Sequence, residues 1–308
     1  MSITIVGTIG IDSIYTPFDQ AEKILGGSAS YFSLAAALFD HVNMVAVAGR
    51  DLSVKNQLIL QAQNIDTTGL ELQDGETFRW GGRYHLDFNS RDTLFTELGV
   101  LATFDPTVPP SYQTADVLFL ANLTPSIQQS VVRQVPHAKL RALDTMNYWI
   151  DQFRPDLTQV LHDVQVVIMA EDEVRQFAGV AHLRKAAKVI FDCGPNILVI
   201  KQGSYGALLL DATGGYFAAP AFPLDDIVDP TGAGDAFAGG FLGSLSAKLA
   251  AGTALKPSDF QQAVLYGNIM GAFACEDFGV NRLLSLTTAD IQQRYQQLVS
   301  YTHLGSSY

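Results

Sequence analysis

Along this chain, short apolar runs rich in β-branched residues alternate with segments whose apolar positions recur at helical spacing. Ile3 to Gly7, Asn43 to Ala48, Val117 to Ala121, Lys139 to Leu143, Val164 to Met169 and Ile197 to Lys201 are runs of the first kind and predict strands. Ser28 to Phe39 places Phe32, Ala35, Ala36 and Phe39 in helical step, and Leu52, Leu58, Ile59 and Ala62 predict a second helix. Further helices are predicted over Pro125 to Val135, Pro155 to His162, from Glu171 onward, Pro257 to Ala274 and Thr287 to Tyr301. Strand and helix in alternation give an α/β fold. From Leu70 to about Glu97 the texture differs: Phe78-Arg79-Trp80 and Tyr84-His85-Leu86-Asp87 alternate apolar and polar around Gly81-Gly82. That pattern predicts a small antiparallel sheet with one dry face, where Trp80 and Tyr84 could cover a ligand or simply pack a hairpin.

Composition narrows the function. With 308 residues, 48% of them hydrophobic, the chain can bury a large core. A net charge of −12 argues against nucleic acid or an anionic membrane as partner and favours a small ligand. Two cysteines, Cys193 and Cys275, are too few for a disulfide framework, and the six histidines have no zinc spacing. There is no signal-peptide pattern and no apolar span of about 20 residues, so the cytoplasm is the expected compartment.

The stretch with the most chemistry is Asp229-Pro230-Thr231-Gly232-Ala233-Gly234-Asp235-Ala236-Phe237, a glycine turn opening a helix. Free backbone N–H groups of a first helical turn make an anion pocket, and Asp235 stands at the same helix start. A helix-capping aspartate explains Asp235 taken alone. Neither a G-x-x-x-x-G-K-[ST] loop nor a G-x-G-x-x-G fingerprint occurs in the chain. No Lys or Arg lies between Lys201 and Lys248, so a phosphate here must be neutralised by backbone dipoles, a metal ion or residues from elsewhere. Several other features sit where an open sheet gathers ligands, beyond the carboxyl ends of strands. Asp12 is placed at the end of the first strand, and Asp144 and Asn147 follow another; a turn explains each comparably well. Gly26-Gly27 allows close approach of a ligand or makes a turn, Glu171-Asp172-Glu173 opens a helix, and Gln202 to Gly206 is a glycine turn after a strand.

In combination these residues resemble the PfkB (ribokinase-like) carbohydrate kinase family across essentially the whole chain. Asp229-Pro-Thr-Gly-Ala-Gly-Asp235 matches its C-terminal signature, Gly26-Gly27 before an Ala-rich helix its N-terminal one, and Lys201-x-Gly203-x-x-Gly206 is similar to its Thr-x-Gly-x-x-Gly nucleotide turn. The resemblance implies a ribokinase-like fold: a doubly wound, mostly parallel sheet flanked by helices, with a small β-sheet lid. It implies one kinase unit over 1–308, with a large domain at about 1–12, 27–68 and 105–308 and a lid at about 13–26 and 69–104. It implies transfer of the ATP γ-phosphoryl group to a hydroxyl of a small sugar or polyol, with Asp235 as general base and Gly232, Ala233 and Gly234 as anion hole. Asp12, Gly26, Gly27 and Tyr31 would meet the acceptor, and Lys201, Gly203, Ser204, Gly206 and Asn268 the nucleotide. Glu173 would order waters of Mg²⁺, and Asp229 would stand beside a monovalent cation, K⁺. Three positions depart from the family pattern: Ala170 replaces the Asn of Asn-x-x-Glu, Tyr31 the Asn of Gly-Gly-x-x-x-Asn, and Lys201 the Thr of the nucleotide turn. Together they favour an active kinase with an atypical acceptor. A nucleoside kinase, with Tyr31, Phe88 or Trp80 stacking on a base, and a catalytically silent nucleotide or sugar sensor are the alternatives. An exposed lid edge could pair two copies into a homodimer.

Overall fold

The computed structural model describes residues 2–61 and 64–302; Ala62, which the sequence pattern assigns to a helix, lies outside the described residues. In chain order the strands are β1 (Ile3–Val6), β2 (Gly10–Tyr15), β3 (Gln20–Gly26), β4 (Val42–Gly49), β5 (Ile65–Gln73), β6 (Phe78–Tyr84), β7 (Arg91–Glu97), β8 (Val117–Leu120), β9 (Leu140–Asp144), β10 (Val166–Ala170), β11 (Ile197–Lys201), β12 (Ala207–Asp211) and β13 (Tyr216–Ala219). The helices are α1 (Ser28–Ala36), α2 (Val54–Leu60), α3 (Pro125–Gln134), α4 (Asn147–Gln152), α5 (Arg154–Leu161), α6 (Glu171–Ala178), α7 (Leu183–Phe191), α8 (Ala233–Ala250), α9 (Pro257–Ala274), α10 (Asn281–Leu284) and α11 (Thr288–Thr302).

Nine strands form one sheet in the order β13-β12-β11-β10-β9-β8-β1-β4-β5. All neighbours are parallel except β12 and β13, which return antiparallel at one edge. Strand residues alternate between two cores, because a strand turns successive side chains to opposite faces. Ile5, Met44, Phe119, Ile168 and Val199 pack with α1, α8 and α9. Val45, Leu118, Leu120, Val167 and Ile200 pack with α3, α5, α6 and α7. The strands read as continuous apolar runs because both faces are covered. Helix α8 is pressed between two neighbours: a Cβ on Gly239 would stand 2.6 Å from the carbonyl oxygen of Phe32, and one on Gly240 2.6 Å from that of Tyr266. Small residues let the backbones meet, and that contact fixes the first turn of α8 against the sheet.

The second sheet has the order β3-β2-β6-β7. Strand β2 pairs antiparallel with β3 and parallel with β6, and β7 closes the outer edge. Two boundaries differ from the sequence pattern. The small sheet begins at Gly10, so Asp12 sits on β2 and not at the end of β1. The stretch after Leu70, expected in the lid, instead belongs to β5, a parallel edge strand of the large sheet. One face of an edge strand is solvated, and its partial alternation looks antiparallel. Elements α4, α7, α10 and β13 have no counterpart among the predicted elements; α4 and α10 are too short to show a helical period. Among the described residues no helix is long and apolar enough to cross a membrane.

Candidate active site

The loop before α8 turns through Gly232, whose φ of +75° is a left-handed conformation that glycine adopts without a steric penalty. A Cβ there would also stand 2.4 Å from ring carbons of Tyr31, which is 1% exposed and lies directly against the loop. Thr231 donates its N–H to Asp229 Oδ1 at 2.8 Å, and Ala233 donates to the carbonyl of Pro230 at 3.2 Å. The N–H groups of Gly232, Gly234 and Asp235 have no protein acceptor among the described residues. The set of free donors therefore differs from the expected one by a single exchange: the Ala233 N–H is engaged, and that of Asp235 takes its place. Three free donors at a helix start attract an anion. Asp229 is fully buried, and its second oxygen accepts from Gly279 N–H at 3.2 Å, so it ties the loop to the turn between α9 and α10. Tyr84 of the small sheet meets the same loop, with its hydroxyl 3.1 Å from Thr231 Oγ1.

Carboxylates crowd this cleft and shift each other. Asp235, in the first turn of α8, is pushed up to about 7, first by burial and then by Asp144, against the opposing pull of Lys201 and Arg91. Asp12 is pushed up to about 8 by burial, with Asp229 and Asp235 adding to it. Glu173 rises to about 7 through burial, with Lys201 opposing and Asp144 reinforcing the change. Burial pulls Lys201 down, but Asp144 and Glu173 overcome it and hold the ammonium above its usual range. The Lys201 Nζ sits 2.7 Å from Asp144 Oδ2, and a Cβ on Gly234 would stand 3.2 Å from that same Nζ. Arg91 comes from β7, its guanidinium 5.7 Å from the Trp80 ring. A loop with no basic residue in its own sequence thus has two cations supplied from other elements. A polarised cluster of this kind, in a cleft with an anion pocket, is the usual surrounding of a group-transfer site.

The sequence matches the pfkB family carbohydrate kinase description over residues 17–287. The chain belongs to that family of phosphotransferases. It is 28% identical over 252 residues to the cytidine kinase of Thermococcus kodakarensis, spanning 80% of this chain and 89% of the relative. In fold it is similar to a nucleoside kinase of Methanocaldococcus jannaschii, with a TM-score of 0.76 at 17% identity, covering 96% of this chain and 98% of that one. Ribokinase of Arabidopsis thaliana, solved with ribose and ATP, superposes with a TM-score of 0.75 at 15% identity, again over 96% and 98% of the two chains.

Other residues marked by the PfkB motifs take varied positions. Gly26 makes room for Asp12: a Cβ there would overlap Asp12 Oδ2 at 1.9 Å. Gly27, with φ +91°, caps α1 against the Thr8 carbonyl, so the diglycine packs protein against protein. Gly203 and Gly206 both have positive φ in the turn after β11, while Ser204 is exposed. Asn89, from the β6–β7 turn, reaches that turn; its Oδ1 is 2.7 Å from where a Cβ on Gly203 would be. Asn268 on α9 donates to the carbonyls of Pro220 at 2.8 Å and Ala219 at 3.4 Å, so its amide N–H₂ is committed to protein. Asn147 is tied to Gln176 and Asp172 of α6 rather than facing the cleft. Phe88 sits at the lid tip beside Phe18. Sequence reasoning missed the Asp144–Lys201 pair and Arg91; the only signals were a Lys where the family turn has Thr and an Asp at the end of a strand.

Glu173 uses one oxygen to cap α6, accepting from Ala170 N–H at 2.7 Å, and the other has no protein donor among the described residues. No cluster of three or more His, Cys, Asp or Glu side chains that could hold a metal occurs among the described residues. A lone carboxylate with a free oxygen suits Mg²⁺ that arrives with a nucleotide and keeps several waters; it does not suit an all-protein cage.

Proposed function

We propose that this PfkB-family kinase moves the γ-phosphoryl group of ATP to a hydroxyl of a small sugar or polyol. The observation that carries the reading is Asp235: a carboxylate raised to about 7, on the helix whose first-turn N–H groups are free. Near neutral pH such a group takes the acceptor's proton, a contribution of typically ~10²–10⁴-fold. The N–H groups of Gly232, Gly234 and Asp235 receive the charge developing on the transferred group, a role in which a single donor is worth ~10²-fold in comparable oxyanion holes. Asp12, facing the loop from the small sheet, takes other hydroxyls of the acceptor. Tyr31, which stands where family sugar kinases carry Asn, has a buried hydroxyl without a partner among the described residues, and a bound acceptor would satisfy it. The Gly203–Gly206 turn and Lys201 face the nucleotide. Mg²⁺, when bound, would neutralise phosphate charge, with Glu173 holding its waters. Both Asp229 oxygens already accept from backbone, so K⁺ beside it would lean on carbonyls of the two loops that Asp229 joins.

A nucleoside acceptor is the second reading, favoured by the cytidine kinase relative and by Trp80 and Tyr84 on the lid. A coupled ADP-release screen across pentoses, hexoses, inositols and nucleosides distinguishes the two, and release above background with any acceptor excludes a silent sensor. Asp235→Asn should abolish turnover while nucleotide binding and fold persist; unchanged kcat in that variant would sink the mechanism. The small sheet's outer strands offer edges for a homodimer, an idea that a monomer in sedimentation equilibrium removes.

A further inference from the structure

Two of the three departures from the family pattern meet at one place. Strand β10 lies between β9 and β11, with Ile168 beside Asp144 and Ala170 beside Lys201. The Lys201–Asp144 bond, 2.7 Å long, therefore crosses the carboxyl end of β10, where Ala170 stands. Strands two apart in a sheet are roughly 9–10 Å from each other, a span that a lysine can bridge and a threonine cannot. The Asp144 carboxylate is itself held: Oδ1 accepts the N–H of Thr145 at 2.8 Å, which leaves Oδ2 for the ammonium. The pair is largely buried, with side-chain exposures of 19% and 5%. On the far side the ammonium faces Gly234, where a Cβ would stand 3.2 Å from it.

We propose that Asp144 is a positioning residue that holds the Lys201 ammonium at the anion loop, so that Lys201 binds the γ-phosphate in place of the polar side chain that Ala170 lacks. The inference rests on the nucleotide reading above. It adds that the cation serving the terminal phosphate is fixed in place before the nucleotide arrives. A preset charge is worth more than a mobile one, because no reorganisation is needed when charge develops.

The test uses the full chain, Mg²⁺ and two nucleotides, ADP and AMP-PNP, with dissociation constants measured by calorimetry, so that no acceptor is needed. Lys201→Met should weaken AMP-PNP by about 10-fold or more, as removal of a charge-assisted hydrogen bond does, and change ADP by less than about 3-fold. Lys201→Arg should keep most of the affinity. Asp144→Asn should weaken AMP-PNP in the same direction, and should have no further effect in the Lys201→Met background. The double variant also guards the fold, because removing both charges leaves neither buried alone. Three results would overturn the proposal: AMP-PNP affinity unchanged in Lys201→Met, equal weakening of ADP and AMP-PNP, or an Asp144→Asn effect that persists without the lysine. If the unaltered protein binds neither nucleotide, the kinase reading falls as well, and that outcome is distinct from a weakening confined to the variants.

Discussion

Replacing Asp12 with Asn should make the protein more stable and less active, and the gain should depend on pH. In the unfolded chain Asp12 ionises near 3.8, whereas in the folded cleft burial, Asp229 and Asp235 keep it protonated until about 8. Between those values the folded state binds the extra proton, so stability falls as pH rises; the contribution is complete below 3.8 and is lost progressively up to about 8. Each pH unit in that window corresponds to about 1.36 kcal/mol, which makes about 4 kcal/mol between 3.8 and neutral pH the ceiling for this group. Relaxation of the surrounding groups around the ionised carboxylate reduces it, and a measured difference of about 2 kcal/mol would agree with the argument. Asn keeps the shape that Gly26 accommodates and has no charge to desolvate. Urea unfolding followed by circular dichroism at pH 4.5, 6, 7 and 8 should show the variant and the unaltered protein nearly equal at the acid end and diverging above it. Affinity for the acceptor found in the screen should fall in the same variant. Parallel stability curves across the whole pH range would refute the reasoning, since they would mean that Asp12 ionises in the fold as it does in water.

Two other expectations follow from the loop. The ratio kcat/KM should rise about tenfold per pH unit up to about 7 and then level, because Asp235 must be ionised to accept a proton; a flat profile between pH 5.5 and 7.5 would remove it as the base. Gly232→Ala forces a β-carbon into the Tyr31 ring and a side chain into a left-handed φ, which costs about 1–3 kcal/mol of stability or displaces the loop. A thermal melt and an AMP-PNP titration read the two consequences, and an unaffected variant would show that the loop is softer than described.

Much of this arrangement is visible in the sequence, for physical reasons. Strands covered on both faces must be continuously apolar, so β1, β4, β8, β10 and β11 announce themselves, and the order of strands and helices then gives the parallel sheet. The anion loop is equally legible, since a left-handed turn and a helix start without a β-carbon leave few choices of residue. What the sequence conceals is any contact made across the sheet. Asp144 and Lys201 are far apart in the chain, and each has an ordinary local explanation, a turn and a strand end. Arg91 lies on a strand whose residues are all exposed, and its pull on Asp235 exists only because the small sheet folds over the cleft. Asn268, which the family resemblance assigns to the nucleotide, carries a contact of the same hidden kind: its amide donates to the carbonyls of Ala219 and Pro220, far away in the chain.

The position of Asp12 on β2 rather than on β1 has a mechanical consequence. In the proposed reaction an acceptor held by Asp12 at one end and presented to Asp235 at the other is gripped by both sheets, which the chain joins around Thr8 and Gly27, at Asp74 to Thr77 and at Leu98. On that reading each hydroxyl that Asp12 captures ties the acceptor to the small sheet as well as to the loop, so recognition and enclosure would be a single event. A molecule too short to span both carboxylates would leave the site ajar and wet. A water molecule, the shortest of all, would be the acceptor least able to close it, and the proposed geometry would then protect ATP from being spent on hydrolysis.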